Sequence, residues 1–357
     1  MAAFGMDRMP VTTQAETVLW QTVSSNEPGS TEIHPVITQW VRQLDLLRHA
    51  PRSVPPIMLS RKRLSPSRRT ALYEFDGGSM TCVVKEYWRD PECDEATACM
   101  RARHESERLT LFERLGLCTS ADRTARILSA RIQPPPAIAL EYIEGIDLAT
   151  LIKKMLAKTS AAECLTAPLM AAARCLARIH RVRHAAIDVS RSSSDSYPQS
   201  ILDALRAGSV IEEKKLNRLA RLVSRAQSAL SISHCRLIHG DANPSNFIIQ
   251  PSGFAVAIDL ERAGNGDPHV DAGFLVADVI HLSKQYGDPA TAGELASVFR
   301  HTYNGYACQP LDPTREAFFT AIGLLRIARN GWLEMPHRRR LIRQAEGFLA
   351  AFCLVDD

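Results

Sequence analysis

Alternating apolar and polar positions predict a β-hairpin over residues 70–88. Residues 70–75 (TALYEF) and 80–88 (MTCVVKEYW) are rich in aromatic and β-branched side chains, and the sequence DGGS between them is a turn signal. Lys85 directly follows two valines in the second run. The pattern therefore predicts two antiparallel strands, the second of which carries a lysine.

Helical periodicity is clearest over residues 101–115. Leu109, Phe112 and Leu115 share one side of this predicted helix. Glu105 precedes Leu109 by four positions, so it is expected to point inward beside the apolar stripe. Glu107 is the alternative inward carboxylate, and an exposed face of glutamates is the third interpretation. Similar patterns predict helices over residues 33–47, from 147 onward, and over 169–182, 201–230 and 272–282.

Short apolar runs at residues 236–238, 247–250 and 254–258 surround two acidic positions. The sequence HGDANPSN occupies residues 239–246, a turn (PSG) follows at 251–253, and Asp259 ends the last run. Two brief strands on either side of a turn would deliver Asp241 and Asp259 to one edge.

The spacing of Asp241, Asn246 and Asp259 suits phosphoryl transfer. A carboxylate that accepts a proton from an attacking hydroxyl must lie beside, and not on, the magnesium ion that holds the phosphates. Asp241 fits the base, while Asn246 and Asp259 fit the hard oxygen ligands that Mg²⁺ prefers. Each residue alone is more often a turn or cap residue. Their joint occurrence favours the phosphoryl-transfer hypothesis.

Three motifs resemble the signature of the aminoglycoside phosphotransferase and choline kinase superfamily. They are HGDANPSN at residues 239–246, IDLE at 258–261 and GDPHVD at 266–271, and the resemblance extends over about residues 55–330. It implies an α+β, bilobal, protein-kinase-like fold, with a small N-lobe of antiparallel sheet plus helix and a larger, mostly helical C-lobe. The expected organisation is a disordered segment at 1–30, an extra helix at 31–50, the N-lobe at 51–145 and the C-lobe at 146–357.

The resemblance also implies roles for individual residues. Lys85 is expected to reach the ATP phosphates, held by Glu105 or, failing that, Glu107. The main chain around Glu141, Tyr142 and Ile143 is expected to bind adenine. The remaining roles are Asp241 as base, Asn246 and Asp259 as Mg²⁺ ligands, and His239 and Asp271 as structural support of the site. Asp271 also precedes the apolar residues 272–282 and is predicted to cap that helix.

One segment departs from the family pattern. Residues 60–69 (SRKRLSPSRR), where the resemblance implies a glycine-rich loop over the phosphates, contain no glycine and five cations. Backbone amides therefore cannot approach a phosphate as closely as glycine permits. The cations either hold the triphosphate through their side chains or form an exposed basic turn.

The resulting hypothesis is a Mg-ATP-dependent phosphotransferase acting on a hydroxyl of a small molecule. Only twelve positions separate Asp259 from Asp271, which leaves no room for the long activation segment of protein kinases. Amino sugars, aminoglycosides, choline and other metabolite alcohols are all candidate acceptors. The basic residues 326–343 disfavour a polycation, although several carboxylates were candidates to bind one: Glu212, Glu213, Asp312, Glu316, Asp356 and Asp357. The alternative is a kinase-like protein that binds nucleotide or a partner without turnover.

Composition adds limits to this picture. The chain has 357 residues, 45% of them hydrophobic and 23% charged, with a net charge of +4, which indicates a globular protein without an obligatory nucleic-acid partner. Nine cysteines lack CxxC spacing, which predicts a reducing compartment and no zinc site. The sequence predicts a cytoplasmic protein without a membrane segment. The oligomeric state does not follow from it.

Overall fold

The predicted α+β class and bilobal, kinase-like architecture are confirmed. The computed structural model describes residues 34–44, 59–63, 69–75, 80–91, 93–157, 161–183, 194–230 and 235–353. The segment predicted to be disordered, residues 1–30, lies outside this part, as does the end of the predicted helix at 45–47.

A five-stranded antiparallel sheet forms the N-lobe, in the order β1-β2-β3-β6-β5. Its strands are β1 (Leu59–Arg63), β2 (Thr70–Phe75), β3 (Met80–Glu86), β5 (Ile127–Arg131) and β6 (Ala137–Glu141), with β4 (Arg123–Thr124) outside the sheet. The predicted hairpin is the β2-β3 pair. Lys85 lies opposite Thr70 on one side and Ile138 on the other, so it stands near the middle of the sheet.

Helices cover both faces of this sheet. On one face, Ile37, Val41 and Leu44 in and just after helix α1 (Pro35–Val41) pack against buried residues of β2, β3 and β6. On the other, helix α2 (Glu95–Arg114) buries a stripe of residues spaced three or four apart: Ala98, Ala102, Glu105, Leu109 and Phe112. The predicted start at residue 101 was therefore six positions late, and Asp94 caps the helix by accepting from the backbone N–H of Thr97.

Two small sheets follow the N-lobe. The first, in the order β4-β10-β9-β7, includes β7 (Ile146–Asp147), β9 (Phe247–Ile249) and β10 (Ala255–Ala257). The second pairs β8 (Arg236–Ile238) with β11 (Gly264–Gly266). Strand β4 comes from the N-lobe half of the sequence and pairs with β10, so this sheet links the two lobes.

The C-lobe is mostly helical. Its helices are α3 (Leu148–Leu156), α4 (Ala161–His180), α5 (Tyr197–Ala207), α6 (Glu213–Ala229), α7 (Pro268–Tyr286), α8 (Thr291–Tyr306), α9 (Pro313–Ala328) and α10 (Met335–Cys353). Helix α7 is buried along most of its length because α8, α9 and β8 surround it. Asp147 caps α3 by accepting from the backbone N–H of Thr150, so this helix begins where the sequence predicted.

Gly273 sets how closely α7 and α9 pack. A Cβ at this position would lie 2.6 Å from Cβ of Phe319 and 2.6 Å from the backbone N of Thr320. The atoms in the way belong to the backbone and Cβ of α9 and cannot rotate aside, so Gly273→Ala is expected to lower the free energy of unfolding by about 1–3 kcal/mol through overpacking. Urea unfolding monitored by circular dichroism measures this difference.

Gly293→Ala is the matched control. Gly293 is exposed in α8, and no atom lies within 4 Å of a Cβ added there. We expect the free energy of unfolding of this variant to rise by about 0.5–1 kcal/mol, because alanine has a greater helix propensity than glycine. Equal urea midpoints for Gly273→Ala and Gly293→Ala would show that the packing of α7 on α9 adjusts without a loss of stability.

Candidate functional site

A buried carboxylate fixes the start of the loop at residues 239–246. Asp271, in the first turn of α7, accepts hydrogen bonds from the backbone N–H groups of His239 (2.7 Å) and Gly240 (2.9 Å). Its Oδ2 also lies 2.9 Å from Nε2 of His180. Gly240 has a φ of 79°, a conformation that glycine adopts without strain. Asp271 thus sets the chain path immediately before Asp241.

Two further contacts hold this loop, one to the segment after β10 and one within the loop itself. Nε2 of His239 lies 2.9 Å from the carbonyl oxygen of Ile258, the residue before Asp259. The side-chain amide of Asn246 donates to the carbonyl oxygen of Asp241 at 2.9 Å. Because the side-chain nitrogen of Asn246 donates within the loop, its side-chain oxygen is the atom that could bind a ligand.

Asp259 has a left-handed backbone conformation, with φ 62° and ψ 62°. This conformation is uncommon outside glycine and costs about 1–3 kcal/mol, and such residues cluster at functional sites. Asp259 lies two residues after the end of β10, and its Oδ1 is 2.6 Å from Nζ of Lys85. Burial raises the pKa of Asp259, but the charge and hydrogen bond of Lys85, together with weaker contributions from His239 and Arg69, outweigh this effect, so the pKa lies below its usual value.

Lys85 lies between two carboxylates. Its Nζ is 2.5 Å from Oε1 of Glu105 as well as 2.6 Å from Asp259. The other oxygen of Glu105 accepts a hydrogen bond from the hydroxyl of Tyr87. Burial lowers the pKa of Lys85, but the two carboxylates raise it by more, so the amine stays charged. Glu107 is exposed on α2, so the structure pairs Glu105 with the lysine.

A cleft that we call the lysine cavity extends from this ion pair along the sheet. Its lining residues are Thr70, Val83, Lys85, Ala125, Leu140, Glu141, Tyr142, Ile143, Asn246, Ile248, Ile258 and Asp259. The end near Lys85 and Asp259 is charged, and most of the other lining residues are apolar, which suits a ligand with an apolar part and an anionic part. The side chain of Glu141 accepts from Arg123 (3.1 Å) and from the backbone N–H of Arg126 (2.7 Å). Its carboxylate is therefore engaged within the protein.

The donor set at the charged end fits a magnesium ion. Ligand oxygens of Glu105, Asp259 and Glu261 lie within 4.8 Å of one another. Glu105 is held by Lys85, and Glu261 accepts from Arg69 at 3.0 Å. Asp259 and Asn246 both line the cavity. Only Oδ1 of Asp259 contacts Lys85, so its second oxygen and the amide oxygen of Asn246 are the hard oxygen donors that could bind a metal ion. One carboxylate and one amide oxygen match the few protein ligands that Mg²⁺ takes in nucleotide sites.

A second cleft, the arginine cavity, is also lined by residues of the 239–246 loop. Its lining residues are Ala149, Lys153, Asp241, Asn243, Pro244, Ser245, Arg262, Asp278, His281, Leu282, Gln285, Tyr286, Arg326, Ile327, Arg329, Asn330 and Trp332. Asp241 therefore faces this cavity while Asn246 faces the lysine cavity. The hydrogen bond between Asn246 and the backbone of Asp241 shows that the two clefts meet at this one short loop.

Arg326 bridges two acidic side chains in the arginine cavity. Its Nη1 lies 2.9 Å from Oδ1 of Asp241 and its Nη2 lies 2.5 Å from Oδ2 of Asp278. Burial raises the pKa of Asp278 to about 6, although the charge of Arg326 opposes the shift. Nη1 of Arg262 approaches the other oxygen of Asp241 to 3.7 Å. The carboxylate of Asp241 is thus held in place by guanidinium groups.

Comparison with known proteins agrees with this geometry. The model of the phosphotransferase enzyme family, APH, matches residues 85–309, which is more than half of the chain. The chain belongs to this phosphotransferase family. The search of curated proteins returned no significant match.

Solved structures share the fold of this phosphotransferase at low sequence identity. Choline kinase LicA from Streptococcus pneumoniae is 18% identical, covers 88% of this chain and 98% of its own, and has a TM-score of 0.52. An aminoglycoside phosphotransferase from Alicyclobacillus acidocaldarius is 16% identical, with coverage of 90% and 97% and a TM-score of 0.51. The streptomycin-ATP-APH(2'')-IIa ternary complex is 14% identical, with coverage of 89% and 99% and a TM-score of 0.52.

The structure corrects two expectations about this phosphotransferase. Asp271 does not cap α7, because the helix begins at Pro268 and Asp267 is the cap, accepting from the backbone N–H of His269 at 3.0 Å. A proline in the first turn of a helix places the cap just before it. The predicted basic loop also starts later than residue 60, since residues 60–63 belong to β1. Residues 64–68 lie outside the described part.

Several residues of the arginine cavity were missed by the sequence reasoning. Arg326, Arg262 and Asp278 belong to no motif, although Asp278 interrupts an apolar helix and that signal could have identified it. Among the carboxylates considered for a polycation, Glu212, Glu213, Asp312 and Glu316 lie outside the lining of the cavity. Asp356 and Asp357 fall outside the described residues. Within the described part, no helix has the length and apolar character that a membrane span requires.

Proposed function

We propose that this phosphotransferase is a kinase of a small molecule, which moves the γ-phosphoryl group of ATP to a hydroxyl group in a Mg²⁺-dependent reaction. One observation carries the proposal. Lys85, Asn246 and Asp259 face one cavity, while Asp241 faces a second cavity lined by the same loop. A nucleotide in the first and an alcohol in the second would meet at that loop.

The lysine cavity is the proposed ATP site. Lys85 is charged and held by Glu105, so it would bind phosphate oxygens without moving far. Adenine would lie in the apolar part of this cavity, against the main chain of Glu141, Tyr142 and Ile143. In support, the solved complex of APH(2'')-IIa holds ATP together with streptomycin.

Asp259 and Asn246 would hold the magnesium ion. When bound, Mg²⁺ neutralises charge on the phosphate oxygens and orients them. The left-handed conformation of Asp259 and the hydrogen bond from Asn246 to the loop fix both donors before a ligand arrives. Preorganised donors lose little free energy in reorganisation when the reaction occurs.

Asp241 is the proposed general base. Its position on the arginine cavity would let it accept the proton of an acceptor hydroxyl while that oxygen attacks the γ-phosphorus. Asp271 supports its position by accepting from the backbone N–H groups of His239 and Gly240, and the side chain of His239 in turn contacts the carbonyl oxygen of Ile258.

We also propose that the protein is cytoplasmic, because its cysteines lack the spacing of a disulfide framework or a zinc site.

Magnesium-dependent binding of ATP is the first expected result. At ATP concentrations about 100-fold above Kd, binding should stabilise the fold by about 2.7 kcal/mol. EDTA should remove most of this gain, because Asp259 and the phosphates would then repel each other. Thermal unfolding with ATP, with and without Mg²⁺, measures the effect, and adenosine serves as the control that lacks phosphates. Equal stabilisation by ATP with EDTA would contradict the metal site.

Turnover distinguishes the proposed enzyme from a kinase-like binding protein. Purified protein should convert Mg-ATP to ADP and yield a phosphorylated product, detected by mass spectrometry, when given a library of hydroxylated compounds. Binding of Mg-ATP without any transfer, together with an Asp241→Asn variant that leaves every phenotype intact, would favour the binding protein.

A further inference from the structure

The arginine cavity is positively charged where the acceptor would bind. Its lining contains the four cations Lys153, Arg262, Arg326 and Arg329, and two carboxylates, Asp241 and Asp278. His281 adds no charge near neutral pH, because burial and the neighbouring His337 lower its pKa to about 4. A net positive lining raises the local concentration of anions and repels cations.

The two carboxylates are engaged by arginine and do not face a ligand freely. Arg326 lies 2.9 Å from Asp241 and 2.5 Å from Asp278, and Arg262 lies 3.7 Å from Asp241. The side chain of Asp278 is 15% exposed and that of Arg326 is 12% exposed. An amine that entered the cavity would have to compete with a buried guanidinium for each carboxylate, at a cost in free energy.

Arg329 and Lys153 line the cavity and, unlike the two carboxylates, are not held in ion pairs with other described residues. Lys153 lies 5.8 Å from the ring centroid of Tyr286, which is 42% exposed, and the lining also includes Trp332, which is 73% exposed. Cations beside exposed aromatic rings suit a ligand with an anionic group and a carbon skeleton that packs on a ring.

We propose that the acceptor is a hydroxylated small molecule that carries an anionic group, a carboxylate or a phosphate. Arg329 and Lys153 bind this group, Arg262 contributes charge, and the hydroxyl faces Asp241. The proposal rests on the proposed kinase function. In the reaction the hydroxyl oxygen forms a bond to the γ-phosphorus, the bond to the β–γ bridging oxygen breaks, ADP leaves, and the hydroxyl proton passes to Asp241.

Matched acceptors test the charge preference. Each set keeps one carbon skeleton and changes the charged group at its terminal position: glucuronate, glucose 6-phosphate, 6-amino-6-deoxyglucose and glucose, or glycerate, glycerol 3-phosphate, 3-amino-1,2-propanediol and glycerol. We expect kcat/KM to be at least about tenfold higher for an anionic member than for its amine or neutral counterpart. The carboxylate and phosphate members show which anion is preferred. Equal or faster transfer to the amines would overturn the proposal.

Binding without turnover separates this proposal from the kinase function itself. With Mg²⁺ and a saturating non-hydrolysable ATP analogue in the lysine cavity, thermal shifts are measured with the same compounds. Anionic members should stabilise the protein more than neutral or amine members. Anion binding without transfer to any acceptor would refute the kinase function and leave the assignment of the cavity in place, whereas absence of an anion preference would refute the assignment.

Charge-reversal variants test whether Arg329 and Lys153 bind the anionic group. Arg329→Glu and Lys153→Glu should each raise KM or Kd for the preferred anion about tenfold or more, with a much smaller change in kcat, because uniform binding is lost. Arg218→Glu makes the same charge change at an exposed position of α6 outside the cavity lining and should leave both constants unchanged. Unchanged KM and Kd in both cavity variants, or equal changes in Arg218→Glu, would contradict the proposed anion site.

Discussion

Asp241→Asn is expected to lower kcat by about two to four orders of magnitude, as the loss of a general base does. In the original protein, Nη1 of Arg326 lies 2.9 Å from Oδ1 of Asp241, and asparagine keeps an oxygen at that position. The substitution also leaves the backbone carbonyl oxygen that accepts a hydrogen bond from Asn246. The loop should therefore keep its conformation while the group that accepts the proton is lost. Affinity for Mg-ATP should change little, because Asp241 lines the arginine cavity and not the lysine cavity.

Steady-state kinetics and calorimetric titration with Mg-ATP measure the two quantities separately. Asp203→Asn is the control, since Asp203 is 58% exposed on α5 and its ion pair with Arg206 contributes little. A large rise in KM for ATP in Asp241→Asn, with kcat preserved, would instead make Asp241 a metal ligand.

Residues close together in sequence could be predicted well. Asp241 and Asn246 belong to one loop of eight residues, and the apolar pattern on either side of this loop predicted the two flanking strands. Glu105 was predictable in the same way, because its spacing from Leu109 put it on the buried stripe of α2. Local geometry set these positions, so local pattern was enough to predict them.

The arginine cavity could not be predicted in this way. Arg326 comes from α9 and Asp278 from α7, and only the close packing of these helices brings their side chains together near Asp241. Helical periodicity shows which side of a helix is apolar, but α7 is buried on most sides, so its pattern did not show where Asp278 points. The proposed acceptor site therefore depends on tertiary packing, whereas the proposed base and metal ligands lie in local sequence motifs.

Asp259→Asn is expected to weaken Mg²⁺-dependent binding of ATP and to lower turnover by about 100-fold or more. Metal stabilisation of transition-state charge contributes several kcal/mol, and each 1.36 kcal/mol is a factor of ten in rate. Asparagine tolerates the left-handed conformation that Asp259 adopts, so the backbone should be preserved. Lys85 would still be held by Glu105 at 2.5 Å, which leaves the lysine in place for the phosphates.

Titration of the metal distinguishes this variant from Asp241→Asn. Asp259→Asn should need a higher Mg²⁺ concentration for half-maximal activity, because one charged ligand has become a neutral amide, whereas Asp241→Asn should keep the requirement of the original protein. In EDTA the deficit in ATP affinity of Asp259→Asn should vanish or reverse, because the metal no longer contributes and asparagine does not repel the phosphates. An unchanged Mg²⁺ requirement in Asp259→Asn would mean that this carboxylate acts only through its ion pair with Lys85 at 2.6 Å, and the metal would have to be held elsewhere.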